Sequence, residues 1–169
     1  MKKILLVFGV VIIIIAILVF MPSAETKYLR IHIRANSNDL VDTNIKHEIK
    51  DLVCEYLTPL FADCNEIEKA EKILTANLKN IERVVDNLLL SKGFTYTSSA
   101  RLNNEYFPTR TYKELVLESG YYDALIIDLG QAKGDNWWCV IYPPMCLADN
   151  TKNIVYKSKL LQIISKIFD

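Results

Sequence analysis

An excess of charge of either sign is missing from this chain: 20 Lys and Arg balance 20 Asp and Glu, and the isoelectric point lies near 6.7. The balance removes the basic excess or stripe that marks nucleic-acid-binding domains. Histidine is scarce, with only His32 and His47, so imidazole chemistry has little to draw on. Internal repeats, low-complexity tracts and linker-like stretches are also lacking, which excludes a division of residues 27–169 into two domains. Disorder is excluded from the other side, because 51% of the 169 residues are apolar and 10% aromatic. A chain of this length and composition holds one domain rather than a multidomain enzyme.

What is present is unevenly placed. A mean hydropathy of +0.14 is high for a chain with 24% charged residues, and the apolar material is concentrated near the N-terminus. Ile4 to Met21 runs 18 residues without a charge or a hydrogen-bonding side chain. As a helix it is roughly 27 Å long, close to the thickness of a bilayer core. Lys2 and Lys3 precede the run, so residues 1–24 read as a signal peptide or signal anchor with the N-terminus in the cytoplasm. Residues 27–169 are then expected outside it. Pro22-Ser23-Ala24-Glu25 offers small residues for cleavage, and both a retained anchor and a cleaved signal fit the pattern.

The exported part reads as an α/β domain of the α+β type. Leu29, Ile31, Ile33 and Ala35 alternate with Arg30, His32 and Arg34 in the period of a half-buried strand. Asn36-Ser37-Asn38-Asp39 supplies turn and N-cap residues, and Ile45, Ile49, Leu52, Val53, Tyr56, Leu57 and Leu60 form a helical stripe after it. A second helical pattern opens at Asp63, with Glu66 completing a possible capping box, and runs to Leu89; it is long for one helix, and Thr75 to Asn77 offers a break that would divide it in two. Two to three helices are expected in all. From Phe94 the composition turns aromatic and β-branched: strands at 94–102, 122–129 and 137–142, with Asn103-Asn104-Glu105 as a turn, read as a mainly antiparallel meander. Residues 152–168 carry a helical pattern that predicts a C-terminal helix.

No catalytic set stands out. His32 lies between Arg30 and Arg34 on its strand face, and His47 points off the apolar side of its helix. His47-Glu48 begins like a zinc-protease motif, but position 51 is Asp51 and no second histidine follows. No metal and no small-molecule cofactor is expected. Ser37 or Cys139, served by His32 and a carboxylate such as Asp42, would make an extracytoplasmic hydrolase or peptidase, yet neither lies in a nucleophile elbow or a cysteine-protease signature. Outside the cytoplasm cysteines tend to pair. Cys139 and Cys146 flank Pro143-Pro144, a span short enough for a turn, and Cys54 and Cys64 flank the end of the first helix. Four cysteines allow three pairings, of which Cys139 with Cys146 and Cys54 with Cys64 are favoured, and free thiols are the alternative.

Aromatic residues crowd the second half, where Tyr106, Phe107, Tyr112, Tyr121, Tyr122, Trp137, Trp138 and Tyr142 fall within one stretch. The strand period places Trp137, Cys139 and Ile141 on one face and Trp138, Val140 and Tyr142 on the other. Aromatics with a polar edge serve as binding anchors as readily as core residues. An open groove lined by them would suit a cell-wall or membrane-surface binding module.

Three segments then carry a resemblance: Arg34-Ala35-Asn36-Ser37-Asn38 after a strand, Phe107-Pro108-Thr109 before a turn, and Gly134-Asp135-Asn136-Trp137-Trp138-Cys139-Val140-Ile141-Tyr142-Pro143-Pro144-Met145-Cys146. From Tyr28 to about Asp149 the chain resembles the stage II sporulation protein R family. It departs from that pattern at Thr43, where glutamine is expected, and Cys54 and Cys64 lie outside it. The resemblance implies a forespore signal of endospore-forming bacteria, exported into the space between forespore and mother cell. There it would activate a membrane-embedded aspartic protease of the mother cell, which cleaves the precursor of the early mother-cell sigma factor. The family pattern supplies no active-site residues. The partner contacts expected on physical grounds are Arg34, Asn36 and Ser37 after the first strand, with Tyr106, Arg110, Trp138 and Tyr142 from the aromatic stretch.

Overall fold

The structure is a computed structural model that describes residues 27–147. The expected membrane segment and the expected C-terminal helix lie outside the described residues, and no helix among those described is long and apolar enough to cross a membrane. The class is α+β. Strand β1 (Leu29–Arg34) leads to helices α1 (Leu40–Leu60) and α2 (Ile67–Ser91). Five strands follow: β2 (Ser98–Phe107), β3 (Arg110–Tyr112), β4 (Leu115–Leu117), β5 (Gly120–Leu129) and β6 (Asn136–Tyr142).

The long strands do not form the expected meander. Their order is β2-β5-β1-β6, with β1 parallel to β5 and antiparallel to β6, while β3 and β4 form a separate hairpin. The reason lies in β1 itself. Its residues are buried on both faces, as a central strand requires, whereas alternation alone suggests one wet face. Ile31, Ile33, Leu125, Ile127 and Cys139 pack under α1 and α2 with Ile49, Val53, Leu57, Leu74, Ile81 and Val85. The opposite face carries Arg30, His32, Ala124 and Ile126.

One open alternative closes and one expectation changes. α2 is one helix through Thr75 to Asn77, because Thr75 Oγ1 donates to Glu71 O and Asn77 Nδ2 donates to Ile73 O, so both polar side chains return to the helix backbone. It begins at Ile67 without the Asp63 capping box. Asn103, Asn104 and Glu105 lie inside β2, where they pair with Ala124, Asp123 and Tyr122 of β5. The polar side chains of two of them are held by partners rather than by a turn: Asn104 Nδ2 donates to Asp123, and Glu105 takes His32 and Arg34.

Part of the β2 edge is closed by α2. Glu82 accepts the Ala100 N–H at 2.9 Å and Asp86 accepts the Ser98 N–H at 2.6 Å. Carboxylates standing at a strand edge satisfy donors that would otherwise recruit another strand. The Ala100 amide, with help from Lys79, holds the Glu82 carboxyl below its ordinary pKa.

Candidate functional site

The turn after β1 is a polar staple. Asp42, in the first turn of α1 and 6% exposed, accepts hydrogen bonds from Tyr96 Oη at 2.6 Å, Ser37 Oγ at 2.7 Å and Asn36 Nδ2 at 2.8 Å. Burial raises the pKa of this carboxyl, but the three donors together bring it below 3.8. Burial and the same carboxylate push the Tyr96 hydroxyl upward. Asn36 Oδ1 accepts the Gln131 N–H and Asn38 Oδ1 accepts the Asp135 N–H, so the turn also holds the loop between β5 and β6. Gly134 passes so close to Ser37 O that no side chain fits there.

This accounts for Asn36 and Ser37 as architecture and removes Ser37 as a nucleophile with a base. Its hydroxyl is committed to Asp42, while His32 is committed to Glu105 at 2.9 Å. Cys139 is likewise not a thiol, because it is joined to Cys146. The Met145 and Cys146 N–H groups both donate to Val140 O, folding the turn after the cis Tyr142-Pro143 bond against β6. The hydrolase reading therefore has no assembled nucleophile and base among the described residues. No group of three or more His, Cys, Asp or Glu side chains in them could hold a metal ion.

The expected Cys54–Cys64 bridge is not formed. Cys54 lies on the buried face of α1, where burial pushes its thiol up to about 11. Cys64 sits beyond the helix end with its Sγ directed at Glu66 O, and burial raises its pKa as well. The two thiols serve different surroundings, one the core and one the interhelical turn.

The densest chemistry lies on the sheet face away from the helices. Arg30 is fully buried there. Its guanidinium stands 4.2 Å from the Phe107 ring centroid, 4.7 Å from Tyr122 and 5.8 Å from Tyr112, and its Nη2 donates to Tyr112 Oη at 2.8 Å. Cation–π contacts are strongest when desolvated, as here. His32 continues the layer, 5.7 Å from Phe107 and 5.3 Å from Trp138 between ring centroids. Arg110, from the β3–β4 hairpin, stacks over Trp138 at 4.3 Å. Beside this layer Arg34 pairs with Glu105 and Asp128, and Arg101 also pairs with Asp128.

The seven expected contact residues thus fall in different places. Arg110 and Trp138 meet directly, and Arg34 lies in the neighbouring ion network. Asn36 and Ser37 are in the staple at the strand's end. Tyr106 pairs with Tyr121 in an exposed T-shaped contact, 55% and 74% accessible respectively. Tyr142 is on the helix side of the sheet, not beside Trp138 as alternation predicts. The register shifts between Arg30↔Val140 and Leu29↔Tyr142, and a bulge of one residue turns the next side chain to the other face. Burial raises the Tyr142 pKa, with Cys64, Glu66 and Glu68 adding to it.

Sequence reading missed Arg30, His32, Glu105 and Tyr122 as members of the layer. The signal was the Arg30-His32-Arg34 alternation, which marks a polar face but not what covers it. The open groove of exposed aromatics is also not what the recess beside the staple offers, since that recess is lined by Asn36, Thr95, Tyr96, Thr97, Gly130 and Gln131.

The described residues thus form a disulfide-closed α+β domain whose densest chemistry is a cation–aromatic layer, with an exposed tyrosine pair on β2 and β5. The family to which it belongs follows from comparison with known proteins: the stage II sporulation protein R family matches residues 25–152, and the chain is a member of it, a sporulation protein. The stage II sporulation protein R of Bacillus subtilis (strain 168) is 33% identical over 121 residues, which cover 72% of this chain and 54% of that protein. The chain thus spans about half the length of that curated relative. No solved structure matches.

Proposed function

We propose that this chain is an exported forespore signal that activates a membrane-embedded aspartic protease of the mother cell, leading to cleavage of the early mother-cell sigma factor precursor. Membership of the stage II sporulation protein R family across residues 25–152 carries the reading. Two other observations support it. The apolar run at residues 4–21 suits export or membrane anchoring, and a disulfide suits an oxidising space outside the cytoplasm.

In this reading the domain acts by binding, from the space between forespore and mother cell, either anchored in the forespore membrane or released. A ligand activates only by its differential affinity for the active state, and a shift from 1:99 to 99:1 takes about 5.5 kcal/mol. The contact surface is assigned to Arg110 and Trp138 on one side and to Tyr106 on the other. Arg34, Asn36, Ser37 and Tyr142 set its shape. The test is co-reconstitution of the protease and its precursor substrate in vesicles, with and without the full chain. Cleavage that requires the chain is the expected result; cleavage equally fast in its absence refutes the proposal.

A further inference from the structure

The cation–aromatic layer is electrostatically unfinished. Arg30 is fully buried, yet no carboxylate among the described residues lies within ion-pair distance of it. The same holds for Arg110. Nearby cations are treated differently, since Arg34 and Arg101 are matched by Glu105 and Asp128. The Tyr112 hydroxyl and the rings of Phe107, Tyr112 and Tyr122 engage the Arg30 guanidinium, but among the described residues its Nε and Nη1 have no hydrogen-bond partner, and neither has the Trp138 Nε1. These nitrogens can only donate. Leaving a buried donor unmatched costs about 1–3 kcal/mol, and more when the group is charged.

The donors belong to one continuous side-chain layer. Trp138 and Arg30 are joined through His32 and Phe107 by successive ring contacts, and Arg110 stacks on Trp138. The β3–β4 hairpin adjoins them, its strands paired only with each other among the described residues. That hairpin meets the layer through Tyr112 and Arg110. Among the described residues the adjoining strand β6 is an edge. Since Ala35 N–H donates to Asp135 O and Gly134 N–H to Ala35 O, the alternation of an antiparallel ladder directs the Trp138 backbone away from β1, toward that open edge.

We propose that Arg110, Trp138 and Arg30 form a carboxylate-binding site on this face, beneath the β3–β4 hairpin. Two uncompensated guanidinium groups and an indole donor match an oxyanion in both charge and hydrogen bonding. An acidic side chain of a polypeptide and a small free carboxylate share that chemistry. The inference concerns the ligand and stands whether or not the chain activates a protease.

The test uses the full chain in a nonionic detergent with its tryptophan indoles labelled with nitrogen-15, so that two side-chain signals report the site. Trp137 serves as the internal control, and Trp137→Phe assigns the pair. The probes are sodium acetate and acetyl-glutamate amide, set against sodium chloride at equal ionic strength and the methyl ester of the glutamate probe. The Trp138 signal is expected to move saturably with both carboxylates and with neither control. Tighter saturation by the glutamate probe identifies a polypeptide side chain as the better source, and tighter saturation by acetate a free carboxylate. Arg110→Gln, on the half-exposed hairpin, is expected to weaken binding about tenfold, the loss of one charge-assisted contact. No saturable shift, an equal shift with chloride, or undiminished binding in Arg110→Gln overturns the site.

Discussion

Replacing Asp42 by alanine tests whether the polar staple holds the fold together. The carboxylate is 6% exposed and accepts three side-chain hydrogen bonds between 2.6 and 2.8 Å. A hydrogen bond to a charged group contributes about 1.5–3 kcal/mol. Such contributions do not add in full, and the half-buried Ser37 and Tyr96 hydroxyls regain some water, so the expected cost is about 4 kcal/mol. Against a domain stability of about 5–15 kcal/mol that loss is large but survivable. Tyr96→Phe removes one of the three bonds and is expected to cost about 1.5 kcal/mol in the parent. In the Asp42→Ala background it should cost almost nothing, because its acceptor is already gone. The assay is urea unfolding of the full chain in nonionic detergent, followed by the fluorescence of Trp137 and Trp138. Acid adds an independent check. The folded-state pKa of Asp42 lies below 3.8, so its contribution is complete above that value and is lost as pH falls through the lower, folded-state pKa. The stability gap between parent and Asp42→Ala should therefore narrow in strong acid. A cost below about 1 kcal/mol for Asp42→Ala, or an equal Tyr96→Phe cost in both backgrounds, refutes the reasoning.

Gly134→Ala should destabilise by about 2–3 kcal/mol, because the new methyl group would meet the Ser37 carbonyl, which is backbone and cannot swing aside. Gly120→Ala, whose nearest neighbour would be 3.8 Å away, should stay within about 0.5 kcal/mol of the parent, and similar urea midpoints for the two variants would contradict the close approach. Alkylation of the denatured chain without reductant should add two groups, at Cys54 and Cys64, and four after reduction. In the native chain Cys64 should react before buried Cys54, and mass spectrometry reads both results. Loss of the Cys139–Cys146 bridge by Cys146→Ser should cost about 2.5 kcal/mol, the loop-closure value for a span of this size. Tyr106→Ser with Tyr121→Ser should leave the urea midpoint nearly unchanged, since both rings are exposed, while lowering protease activation in the reconstituted system. Full activation by that double variant would remove the tyrosine pair from the contact surface.

Local pattern revealed some of this architecture and pairing decided the rest. The β1 alternation, the α1 stripe and the β5 and β6 segments were legible because each has a clear period. The 139–146 disulfide was legible from its short span around two prolines. The sequence pattern ends the strand before Asn103 because Asn, Asn and Glu favour turns, yet their partners on β5 and β1 outweigh that preference. The position of β1 between β5 and β6 could not be read from its own residues, which carry the same alternation at an edge as in the middle. The layer around Arg30 was hidden for the same reason. Arginine on a strand reads as solvent-facing until Phe107, Tyr112 and Tyr122, all more than 70 residues later, are known to cover it.

The insertion of β1 between two strands from the far end of the chain also sets when the domain can fold. Arg34 and its register partner Asp128 are 94 positions apart, and both neighbours of β1 begin only at residue 120 or later. Contacts of such long separation close slowly, because the loop entropy is lost before any pairing compensates for it. During synthesis β1 and both helices are therefore complete long before the sheet can close around them, and the helices must wait for the last third of the described chain before the surface they pack on exists.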